Sequence, residues 1–262
     1  MGPFTLMRTA WAVITAETIK LRRSAPVKLA LAAPGLLLVL ELLTMFSRGQ
    51  INLRDPVRLW RELLSFGWVM WLGLFTPALI AFEAISLAGL EHGSRQWKQV
   101  FALPVPRWST FGVKMLACAT LVGASFLVFT VSSVGAVLLF SGARELHLSA
   151  AVPWREIAVT AMKAYAASWL LIVVHTWLSI RFAGFAVPAG IAFAAVLAGY
   201  LLLSASPGAF GWWYPWTLAI STRPEGLYDA HNTVAPALFG GLAGLVLGPV
   251  AAWDLGRRVQ DV

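Results

Sequence analysis

Six apolar stretches dominate the chain, at residues 28–46, 66–90, 111–140, 157–180, 183–204 and 233–253. Each approaches or exceeds the ~20 residues that a helix needs to cross the hydrocarbon core of a bilayer. Backbone at that depth has no water to bond to, so each stretch must satisfy its own amides and carbonyls, which a helix does. Composition agrees: 59% of the 262 residues are hydrophobic and 12% charged, with a mean hydropathy of +0.75. Soluble domains carry about 25% charged residues, so this chain cannot cover a water-facing surface. The expected fold class is all-α, a polytopic membrane protein with six transmembrane helices. It fills residues 1–262 as a single transmembrane domain, since the polar interruptions near 47–65 and 205–232 are too short to fold independently. The third span is long enough to tilt or to extend past the interface, and the first carries Pro34 and Glu41.

The net charge of +8 falls beside spans, where it faces anionic lipid, so membrane lipid and not nucleic acid is the expected partner. Cys118 is the only cysteine, which excludes disulfide frameworks and cysteine metal sites. Before the first span, "FTLMRTAWAVITAETIKLRRSAPVK" places Phe4, Met7, Trp11 and Ile14 on one helical face. Arg8, Glu17 and Lys20 stay wet, and Arg22 and Arg23 meet headgroups, which describes an interfacial helix over about 4–24. A plain basic anchor accounts for Arg22, Arg23 and Lys28 equally well. No cleavable signal peptide is expected, because Glu17 and Lys20 interrupt the N-terminal stretch. An even number of spans puts both termini on one side. That side collects Arg8, Lys20, Arg22, Arg23, Lys28, Arg95, Lys98, Arg107, Lys114, Arg181, Arg257 and Arg258, twelve of the 20 basic residues. The positive-inside rule therefore makes both termini cytoplasmic.

With that orientation, "GLEHGSRQWKQVFALPVPRWSTFGVK" (89–114) holds the main cytoplasmic loop. Residues 91–104 read as a short amphipathic helix, with Trp97, Val100 and Phe101 toward the membrane and Arg95, Lys98 and Gln99 toward water or a partner. Pro104 and Pro106 stop it, because they lack amide donors and restrict the residues before them. Read from the residues alone, this is a helix tucked onto lipid headgroups.

The same passage resembles the E-H-x-x-x-x-W-K-x-x-x-x-L-P-x-x-R/K pattern of ABC-2-type transporter permeases, most closely the lantibiotic-immunity and bacitracin-type exporter permeases. "AETIKLRRS" is similar to that family's entry helix, "WWYPWTLA" (212–219) to its outer P-W segment, and "WDLGRRVQDV" to its basic C-terminus. The resemblance implies that the loop between spans two and three is a coupling helix that docks on a cytoplasmic ABC ATPase dimer. It carries Glu91, His92, Arg95, Trp97, Lys98, Pro104 and Arg107 as coupling positions. It further implies a second permease subunit, identical or related, and export of an amphiphilic or peptide-like substrate. Antimicrobial peptides, antibiotics, sodium, a copper-site maturation factor and lipid-linked glycans all fit such a subunit. A non-transporting assembly or sensor subunit would share the same helices.

No G-x-x-x-x-G-K-[ST] loop occurs, so no nucleotide cofactor is expected on this chain and the ATPase is expected on a separate subunit. No G-x-S-x-G or H-E-x-x-H motif supports intramembrane hydrolysis, and His92 has no metal partner at ligand spacing. Gly240, Gly241 and Gly244 fit close helix packing in the last span. The ionisable residues inside spans are Glu41, Glu83, Lys163 and His175. Such groups usually face the bundle interior or water, which makes Glu83, Glu41 and His175 candidates for a substrate path or gate. Glu83 can pair with Lys163 or an arginine, or snorkel to the inner interface. Lys163 is expected to snorkel to the outer one, and His175 to hydrogen-bond between helices.

Overall fold

The structure, a computed structural model, describes residues 21, 24–47, 56–92, 107–146, 148, 151–182, 184–205, 213–223 and 233–258. The elements are α1 (Ala25–Ser47), α2 (Pro56–Met70), a π-helical turn (Trp71–Phe75), α3 (Thr76–His92), α4 (Arg107–Ala143), α5 (Trp154–Ala167), α6 (Trp169–Arg181), α7 (Ala186–Ala205), a 3₁₀ turn (Ile220–Thr222) and α8 (Ala235–Arg258). No strand occurs among the described residues. They form six helices long and apolar enough to cross a membrane, with α2, the π turn and α3 making one and α5 and α6 another.

The second of these begins at Leu59 rather than near residue 66. "LWRELLS" is too polar to register as a span, yet it is amphipathic. Leu59, Trp60, Leu63 and Leu64 are buried while Arg61 and Glu62 are exposed. Helical period, not mean hydropathy, extends the helix there.

Side-chain contacts fix the directions. Ser125 meets Ala30 and Arg144 meets Phe46, so α1 and α4 run parallel. Lys114 meets Leu87, so α3 and α4 run antiparallel. Lys163 meets Thr233 and Trp177 meets Asp254, so α8 runs along α5 and α6. One end of the bundle, called here the loop face, thus gathers the start of α1, the end of α3, the starts of α4 and α7, and the ends of α6 and α8. The distal face carries the other ends. At the loop face α6 reverses into α7 within four residues, helped by Gly184 at φ +103°, a conformation that L side chains rarely adopt.

Pro34 shows how the interior is satisfied. It lies within α1 and has no amide hydrogen, so the carbonyl four residues earlier, Ala30, loses its helical donor. Ser125 Oγ of α4 donates to that carbonyl at 2.8 Å. Around it the core is aromatic: Trp71 stacks on Phe129 at 4.7 Å and meets Phe126 edge-on at 5.6 Å, while Trp68 meets Phe129 at 5.2 Å. Lipid is as apolar as leucine, so helices associate through close packing rather than through the hydrophobic effect. Gly240 and Gly244 accordingly press α8 onto the backbone of Ala167 and of Trp169 and Leu170. The large apolar side chains on the outside, such as Phe193 (74% exposed) and Leu127 (70%), suit a lipid surround.

Candidate translocation core and coupling face

Two acids lie inside the bundle with no hydrogen-bond partner among the described residues for either carboxyl oxygen. Glu41 is fully buried and pressed from α1 onto Gly67 of α2. A Cβ at Gly67 would come within 2.5 Å of Glu41 Oε1 and 2.9 Å of Oε2, so only glycine leaves the carboxyl its place. Glu83, equally buried, lies on α3. Gly67 and Glu83 stand on the same span sixteen residues apart, about 24 Å along a helix. The two acids therefore occupy opposite halves of the bundle and do not form a pair.

Of the alternatives the sequence left open for Glu83, the pairing with Lys163 does not occur. Lys163 Nζ instead donates to Thr233 Oγ1 at 2.8 Å, tying α5 to the start of α8. Nor does Glu83 snorkel, since it is fully enclosed. His175 of α6, also fully buried, accepts a hydrogen bond on Nε2 from Trp216 Nε1 at 3.2 Å. Its partner thus comes from the irregular segment 213–219 and not from another helix as expected, and its Nδ1 has no partner among the described residues.

Trp216 reaches His175 because residues 213–222 fold into the bundle. Tyr214 donates to the carbonyl of Ala195, midway along α7, at 2.9 Å. Thr217 and Tyr214 lie against Gly199, and Ile220 lies against Gly73 in the π turn. Residues 217–222 are all buried. This segment, read from sequence as part of an interruption, is a wedge entering from the distal face. Its irregular backbone is tolerated at that depth because it is enclosed by protein.

Opposite the wedge, the span of α2 and α3 changes winding. The amide of Thr76 bonds to the carbonyl of Trp71, five residues back, in place of the α-helical four. Such single π turns in α-helices are frequent at functional sites. Here Trp71 Nε1 and Thr76 Oγ1 are buried without a partner among the described residues.

At the loop face, α3 continues through Glu91 to His92 and α4 starts at Arg107. Lys114 pins these two stems together: it is 2% exposed and its Nζ donates to the Leu87 carbonyl at 2.8 Å. Grouped with the loop in the charge count, Lys114 in fact lies inside the third span. On the same face Asp254 of α8 accepts from Trp177 Nε1 at 2.9 Å and pairs with Arg181 at 3.4 Å, joining α6 to α8. Arg95, Trp97, Lys98 and Pro104 lie outside the described residues, as do the side chains of Glu91, His92 and Arg107. Trp11, Glu17, Lys20, Arg22 and Arg23 lie outside them as well. Among the described residues no cluster of His, Cys, Asp and Glu could hold a metal ion.

Sequence reasoning missed Gly67, Ser125, the Trp71–Thr76 turn, the 213–222 wedge and Asp254. Ser125 had a signal, since Pro34 requires a donor for Ala30 without saying from where. The resemblance marked 212–219 and the C-terminal stretch holding Asp254 without showing what they touch. Curated proteins and solved structures give no match to the chain. A family model described as ABC-2 family transporter protein matches residues 13–199, more than half of it. Six spans and that match establish one identity: the chain belongs to the ABC-2 family of transporter proteins, as a multi-pass membrane component.

Proposed function

We propose that this protein is the permease subunit of an ABC exporter that moves an amphiphilic or peptide-like substrate of the antimicrobial-peptide or antibiotic class. ATP is hydrolysed by a separate cytoplasmic ATPase dimer, and a second permease subunit, identical or related, completes the membrane domain. Both termini and the loop face are cytoplasmic. Residues 91–107 dock on the ATPase through Glu91, His92, Arg95, Trp97, Lys98, Pro104 and Arg107. The N-terminal segment, with Trp11, Glu17, Lys20, Arg22 and Arg23, lies along the membrane surface.

The observation that supports this most is one of continuity. A single helix, α3, bears the enclosed acid Glu83 and runs on into Glu91 and His92. Above Glu83 the same span loosens into the π turn against Ile220 of the wedge. A displacement at the loop therefore has a direct mechanical route to the bundle's polar interior. The subtype most similar to the loop motif, the lantibiotic-immunity and bacitracin-type permeases, supplies the substrate class.

The test is accumulation of a fluorescent cationic antimicrobial peptide in cells expressing the permease with its cassette ATPase. Lower accumulation that requires both subunits and is abolished by an ATPase-inactive variant is the expected result. Equal accumulation with active and inactive ATPase would instead mark the chain as a non-transporting assembly or sensor subunit.

A further inference from the structure

Between α4 and α8, on the loop-face half of the bundle, runs an open apolar groove of about 540 Å³. Gly112, Met115, Gly248 and Ala252 line it, with Trp169 at its inner end beside Gly244. Nothing lies within 4 Å of where a Gly112 Cβ would be, so the groove there is bare backbone. Trp108 and Trp253 stand at its rim, 61% and 56% exposed. The Arg257 guanidinium sits 3.8 Å from the centre of the Trp253 ring.

Polarity changes along the groove as it does across a leaflet. Trp108 opens the third span and Arg257 closes the sixth. The rim is thus at headgroup depth, where tryptophan belts form and arginines snorkel. From Trp253 inward to Gly244 is nine residues, about 14 Å of helix. Half of a ~30 Å hydrocarbon core is close to that length. The volume falls in the roughly 300–1,000 Å³ range of small-molecule sites.

We propose that this groove binds one acyl chain of an anionic phospholipid whose phosphate pairs with Arg257. The chain lies over Gly112 and Gly248, the glycerol region passes between Trp108 and Trp253, and the negative headgroup meets the guanidinium. A second copy of the protein is the weaker occupant. Two-fold pairing across the groove would set the same patch against itself and bring two Arg257 side chains together. The site is independent of the export reading and would exist equally in a non-transporting subunit.

The experiment is native mass spectrometry of the purified, delipidated full chain titrated with phosphatidylglycerol or with phosphatidylcholine of the same acyl chains. Wild type should retain one phosphatidylglycerol in preference to phosphatidylcholine. Arg257→Gln should cut that preference about fivefold, the worth of one basic residue near a charged membrane surface. Gly112→Leu fills the groove and should lose both lipids while circular dichroism and melting temperature stay normal. Equal retention of the two lipids by wild type, or undiminished retention by Gly112→Leu, overturns the proposal. So does a change in oligomeric state in Gly112→Leu with lipid retained, which would make the groove an interface between copies. If Gly112→Leu does not fold, the Arg257→Gln preference decides alone, and an unchanged preference overturns the proposal.

Discussion

Gly67 exists in its present form because Glu41 needs the space a methyl would take. Gly67→Ala meets only the Glu41 carboxyl, the far end of a flexible side chain, so its cost falls at or below the lower end of the range for overpacking, about 1–3 kcal/mol. The expected outcome is a lower melting temperature and lower yield, with Glu41→Ala restoring much of the loss in the double variant. Additive losses in that cycle would mean the two residues do not meet. Ser125 and Pro34 form a second coupled pair. Ser125→Ala should cost about 0.6 kcal/mol, the average for interhelical hydrogen bonds in membranes, with up to about 1.7 at the upper end. In a Pro34→Ala background, where residue 34 again donates to Ala30, the Ser125 substitution should cost nothing. A melting-temperature cycle reads this directly. At this scale the sequence is half legible. Chemistry announces that Pro34 orphans a carbonyl and that Glu41, Glu83 and His175 need enclosure. It does not name Ser125, 95 residues away, or Trp216 as the donor to His175, because partners across a bundle are chosen by packing rather than by spacing.

α3 is the element on which the functional reading turns. It joins the π turn, Glu83 and the stem of the loop, and Lys114 anchors it to α4 one turn beyond Glu83. Glu83→Gln keeps the shape and removes the ionisable group. The expected result is normal membrane abundance and melting temperature with lost export, measured by peptide efflux at matched permease levels. Normal export would leave Glu83 a packing residue. The elements differ in how plainly they are written. The five long spans after α1, like α1 itself, follow from local hydropathy, which depends only on neighbouring residues. The start of the second span at Leu59 needed helical period as well, since Arg61 and Glu62 dilute the run. The π turn "WLGLF" carries no polar residue to mark it. The stretch "WWYPWTLA" stood out as an outer P-W segment, but being apolar and too short to span it showed nothing of its entry into the bundle. Only the wedge's contacts with Gly73, Gly199 and His175 reveal it as interior.

For the whole molecule, the alternation of six spans ties every loop to one of two faces, so one orientation measurement settles them all. Cysteines at residues 5 and 260 should resist an impermeant maleimide in intact cells, and a cysteine replacing Ala143 should react. Cys118 is fully buried and should stay silent, and a Cys118→Ser background removes it in any case. Labelling of residue 260 from outside would invert the bundle and move the loop face to the exterior. The loop itself decides whether the molecule is driven from outside its own chain. A coupling helix presents Arg95 and Lys98 to a docking surface, whereas a headgroup anchor presents them to lipid and water. Charge reversal at both positions turns attraction into repulsion at a protein interface and leaves the spans untouched. The decisive measurement is recovery of the cassette ATPase on affinity-purified permease carrying Arg95→Glu and Lys98→Glu, normalised to permease in the membrane. The predicted result is unchanged permease abundance with ATPase recovery reduced about tenfold or more. Full recovery of the ATPase, with export intact, would contradict the docking role and leave residues 91–107 a lipid anchor.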